Sequence, residues 1–82
     1  MSKESIYVNL EHIISTYIHG VKFEPNNDLM GDPVFLSAHE MADLFLSIEK
    51  EFSIDLNDIV TNINTFSFNA IAEKIIDLYE TN

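Results

Sequence analysis

Apolar side chains recur at steps of three and four in three stretches of this chain, and no strand pattern competes with them. That periodicity commits the chain to amphipathic helices, each with one stripe to bury. In the first stretch Ile6, Leu10, Ile13, Ile14, Tyr17 and Ile18 share a face, which predicts a helix over about residues 4–19. Ser2 or Ser5 is placed to cap its start, and Gly20 to stop it in a left-handed turn. The second stretch opens with Ser37-Ala38-His39-Glu40, a capping box in which the Ser37 hydroxyl and the Glu40 carboxylate satisfy each other's backbone N–H groups. Met41, Leu44, Phe45, Ile48 and Phe52 then form a core stripe, and at 100° per residue Leu46 falls nearly opposite it, beside His39, Asp43 and Lys50. In the third, Thr65 or Ser67 caps a helix carrying Phe68, Ile71, Ala72, Ile75 and Tyr79.

Two connections separate these helices. Residues 21–36 hold Pro25, Asn26, Asn27, Asp28, Gly31, Asp32 and Pro33, a density of turn formers that no regular element accommodates. A loop this long is unusual in a compact domain, and Phe23, Leu29, Val34 and Phe35 are expected to tie it to the core. After Phe52, Asp55 is placed to cap a short helix at about residues 57–62, too short to stand without packing Ile59 and Val60 on its neighbours. The expected fold is an all-α single domain of four helices, three long and one short, with the long loop running the length of the bundle between helices one and two.

Composition narrows the function. With 82 residues and no cysteine, neither disulfides nor a thiolate zinc site can staple the fold, so apolar packing must hold it. Fourteen acidic side chains oppose four lysines, a formal charge of −10. Nucleic-acid binding needs clustered Lys and Arg, so the expected partners are proteins with basic surfaces. No apolar run has the length of a membrane span, and Met-Ser-Lys-Glu is not the start of a signal peptide, so a cytoplasmic monomer is expected.

Local motifs then resemble the acyl carrier protein family over nearly the whole chain. They are Ile14 to Val21 ending in Gly-Val, Asp28-Leu29 in the loop, Asp43-Leu44, and Ile48-Glu49-Lys50-Glu51-Phe52, similar to the family's Leu-Glu-Glu-Glu-Phe. Ile54-Asp55-Leu56 resembles the Ile-Pro turn that follows it. The resemblance implies an acyl-carrier-like four-helix bundle whose chemistry sits in an Asp-Ser-Leu motif at the start of helix two, where serine carries 4′-phosphopantetheine. A gapless alignment puts Ser37 at the family's Asp, Ala38 at its modified Ser and His39 at its Leu, so the attachment oxygen is missing. A one-residue gap restores Ser37 as the modified serine, preceded by Leu36 where the family has Asp. The leading expectation is a degenerate member without a prosthetic group, and Ser37 as a phosphopantetheine site is the alternative.

What the resemblance leaves in place is docking. The family meets basic patches on partner enzymes through an acidic second helix with an exposed apolar residue at its middle. Glu40, Asp43 and Glu49 match acidic recognition positions, Leu46 the apolar one, and His39 in the first turn is a further contact residue. Lys50 departs from the pattern by placing a positive charge where an acid is usual. Relatives of this degenerate kind occur beside peptide-modifying enzymes, so the implied partner is a biosynthetic or peptide-maturation enzyme. A third reading, drawn from charge alone, is an acidic inhibitor or mimic that occupies a basic site.

No enzyme is expected. His12 and His19 are seven apart and cannot chelate as an i, i+4 pair, and Ser37 and His39 do not face one another on a helix. Asp28, Gly31 and Asp32 lack the alternating ligands and terminal Glu of a calcium loop, so no metal site is expected. Two glycines cannot build a phosphate-cradling loop.

Overall fold

The computed structural model describes residues 2–18, 22–32, 34–61 and 63–80. Its elements are helices α1 (Lys3–Tyr17), α2 (Ala38–Phe52), α3 (Leu56–Val60) and α4 (Phe68–Glu80), with no strand among the described residues. The expected stop at Gly20 and the residue His19 lie outside them. The Cα radius of gyration is 11.8 Å, close to the ~12 Å expected for a compact chain of this length.

Each helix begins where a side chain can satisfy its first free N–H groups. Ser2 caps α1 by accepting from the Ser5 N–H, Asp55 caps α3 by accepting from Asn57, and the Ser67 hydroxyl accepts from Ala70 at the start of α4. The capping box of α2 is complete, and its far end closes at Ser53 in the left-handed conformation. The helices form a ring of contacts, with α1 against α2 and α4, and α3 against the same two. Inside lie the expected stripes: Leu10, Ile14, Leu44, Ile48, Ile71 and Ile75 are fully buried, and Ile59 brings the short α3 into the same cluster. Each such side chain contributes about 1.5–3 kcal/mol by leaving water. The phenolic O–H groups tie the ends together: Tyr79 donates to the Phe52 carbonyl and Tyr17 to the Asp43 carbonyl, with Ser47 Oγ 2.8 Å from the Tyr17 oxygen.

The connection from α1 to α2 is held down by two specific ties. Asp28 Oδ1 accepts from the Met30 N–H at 2.8 Å and Oδ2 from the Phe66 N–H at 3.3 Å, while the Leu29 N–H donates to the Phe66 carbonyl at 2.9 Å. Leu29 enters the core with no exposed surface. Farther back, the Asn69 N–H donates to the Pro25 carbonyl and the Asn69 amide to Asn26 Oδ1. The loop therefore packs against the segment leading into α4. Phe66 also presents its edge to Phe45 of α2, with ring centroids 5.4 Å apart.

Two packing expectations are corrected. Phe35 does not tie the loop inward: it is 66% exposed, and Leu36 is the buried neighbour. Val60 likewise faces outward at 37%, leaving Ile59 as the anchor of α3. The reason at Phe35 is the backbone, whose φ of 53° reverses the chain between Val34 and Leu36. Leu36 and Met41 occupy the two positions of a hydrophobic staple around the α2 cap, and both are buried. Seating Leu36 there sends Phe35 to the surface.

Candidate functional site

The residues singled out by sequence lie on α2 or at its start. Ser37 precedes the helix, and both its groups are engaged: Oγ accepts from the Glu40 N–H at 3.1 Å, and its own N–H donates to Glu40 Oε1 at 2.9 Å. The Ser37 backbone N–H donating to the carboxylate, first, and the Ser37 hydroxyl near it, second, hold the Glu40 carboxyl below its ordinary value of 4.5. Ala38 begins the helix, exposed and without a side-chain oxygen. His39 is exposed, and its Nε2 lies 3.5 Å from Asp43 Oδ2, one turn on. A cap hydroxyl already bonded to a backbone N–H, beside an imidazole directed at a carboxylate, is an arrangement for starting a helix.

Farther along α2 the buried stripe sets what faces out. With Met41, Leu44, Phe45, Ile48 and Phe52 inside, Leu46 is 55% exposed, as the helical wheel requires. A shallow open hollow beside it is lined by Ser47, Glu49 and Lys50. Asp43 and Glu40 remain exposed on the same helix. Glu49 is placed differently, because its Oε2 accepts the Leu56 N–H at 2.8 Å and so supports the start of α3. Of the three acids matched by sequence, Glu40 closes a capping box, Glu49 braces a neighbouring helix, and the Asp43 carboxylate lies beside the His39 imidazole.

Comparison with family models, curated proteins and solved structures gives no match. Among the described residues no group of three or more His, Asp or Glu side chains is placed to hold a metal ion, and no helix is long and apolar enough to cross a membrane.

Sequence reasoning missed Phe35, the most exposed of the large apolar side chains among the described residues. The staple spacing Leu36-to-Met41 around the Ser37 cap was the available signal, since it assigns Leu36 to the interior and leaves its neighbour outside.

Proposed function

We propose that this chain is a non-catalytic, acyl-carrier-like protein that docks through α2 onto a biosynthetic or peptide-maturation enzyme with a basic surface, and that it works without a prosthetic group. The observation that carries this reading is the exposed face of α2, where Leu46 stands out from a helix whose other large apolar residues are buried. Carboxylates around such a residue speed encounter with a cationic partner and select against wrong ones. The apolar side chain supplies the area that is desolvated at the centre of the contact. The start of α2 supports the absence of the arm, because Ala38 offers no attachment oxygen and the Ser37 hydroxyl is engaged as a cap.

One observation favours the alternative of a true carrier. Ser37 is exposed at the helix start, within reach of a modifying enzyme. The two readings separate in one measurement: intact mass after incubation with coenzyme A and a broad-specificity phosphopantetheinyl transferase. The expected result is an unchanged mass. A stoichiometric gain that disappears in Ser37→Ala would overturn the proposal in favour of the carrier.

A further inference from the structure

We propose that the cleft between α1, the start of the connection to α2 and the first residue of α4 binds a free aromatic α-amino acid as its zwitterion. None of its lining residues lies on α2, so the proposal stands or falls independently of the docking reading.

The cleft has a volume of about 440 Å³ and is framed by three parts of the chain. On α1 the buried stripe of Ile6, Leu10, Ile13 and Ile14 turns Glu11 and Ser15 outward, one above the other as residues four apart on a helix must be. Residues 22–25 form a second wall. That wall is tied to α4, since the Asn69 N–H donates to the Pro25 carbonyl at 2.9 Å and the Asn69 side-chain amide to Asn26 Oδ1 at 2.7 Å. Phe68, only 9% exposed, and half-buried Phe23 supply the apolar surface, their ring centroids 6.0 Å apart. Tyr7 stacks on Phe68 at 5.9 Å and fixes it from a further direction in the chain. A concave site of this size, held by bonds within the fold, takes a small molecule with little reorganisation.

Charge selects the ligand. Glu11, Glu24 and Lys22 line the same cleft and are exposed. The ion pairs among the described residues are Lys3–Glu80 and His39–Asp43, so the Lys22 ammonium and the two carboxylates surround the aromatic surface without pairing. An anion alone would meet two carboxylates on a chain of charge −10. A cation alone would meet Lys22, and a neutral apolar molecule would lie against three charges that it cannot bond. A zwitterion with an aromatic side chain suits all three features: its carboxylate pairs with Lys22, its ammonium with Glu11 or Glu24, and its ring packs on Phe23 and Phe68.

The test titrates L-phenylalanine into the isotope-labelled full chain and follows backbone amide shifts by NMR. Saturation with a dissociation constant on the order of 1 mM is expected, with the shifts centred on Glu11, residues 22–25 and Phe68. L-phenylalaninamide, which lacks the carboxylate, and hydrocinnamate, which lacks the ammonium, are each expected to bind about tenfold more weakly. Lys22→Met keeps an apolar stem and is expected to weaken L-phenylalanine about tenfold while leaving the amide no weaker. Glu11→Gln combined with Glu24→Gln is expected to weaken both ammonium-bearing ligands and to spare hydrocinnamate. These three positions are exposed, so an unchanged thermal midpoint should accompany each variant. No saturable shift at about 10 mM, or shifts centred away from the cleft, would overturn the site. Equal binding of the amide or of hydrocinnamate, or full affinity for L-phenylalanine in Lys22→Met, would overturn recognition of the zwitterion.

Discussion

Phe35 and Ser53 are the two non-glycine residues with positive φ among those described, and they bracket α2. A side chain in this region costs about 1 kcal/mol relative to glycine. At Ser53 the conformation ends the helix: the Ser53 and Ile54 N–H groups both reach back to the Glu49 carbonyl, closing the last turn in the way glycine usually does. Ser53 has no further task there, so Ser53→Gly should raise stability by about 1 kcal/mol, read as a thermal midpoint higher by about 4–8 °C for a domain of this size. A lower midpoint would mean that the serine side chain stabilises that turn. Neither residue was legible as left-handed, because Val34-Phe35-Leu36 is an uninterrupted apolar run with no period to say which member turns in. Ser53 could be read as a plain turn residue, but its φ depends on where Ile54 docks.

Helix α2 was the element most legible in sequence, down to its cap, its stripe and the exposure of Leu46. The reason is that a capping box and a three-four period act within one helix and need no tertiary information. The connection from α1 to α2 was legible only as a loop. Its order depends on Asp28 and Leu29 meeting Phe66, 38 and 37 residues away, and nothing local announces that pairing. The turn of Glu49 toward the Leu56 N–H was hidden for the same reason, and it withdraws one expected recognition acid into a structural role. The capping box also gives α2 a pH response. Because the folded-state pKa of Glu40 is depressed below 4.5, its contribution is fully present above that value and is lost as pH falls through the lowered one. Exchange of the Ser37 amide, which donates to the Glu40 carboxylate, and of the Glu40 and Met41 amides behind it should therefore accelerate as pH falls through that lowered value, beyond the intrinsic pH dependence of exchange, and do so much less in Glu40→Gln. Parallel acceleration in both proteins would show that the carboxylate does not hold the helix start.

At the scale of the molecule, four helices in a ring bury one cluster and leave a chain of charge −10 with nine of its 14 acids between Glu24 and Asp58. Self-repulsion is thereby concentrated in the connection, α2 and α3, and a cationic partner relieves it. Another helix offers a natural comparison, since Val8 on α1 is 60% exposed, slightly more than Leu46 at 55%. If exposure alone governed association, the two positions would behave alike. Docking through α2 requires that they differ, and that the difference depend on the charges beside Leu46. The decisive measurement is site-specific photo-crosslinking in the protein's own cells, with the reactive residue replacing Leu46 in one variant and Val8 in another. The account predicts a crosslink from position 46 to an enzyme with a basic surface, no such crosslink from position 8, and loss of the adduct when Asp43, which has no part in the capping box, is changed to Lys. Equal capture from the two positions, or capture indifferent to that charge reversal, would contradict docking through α2.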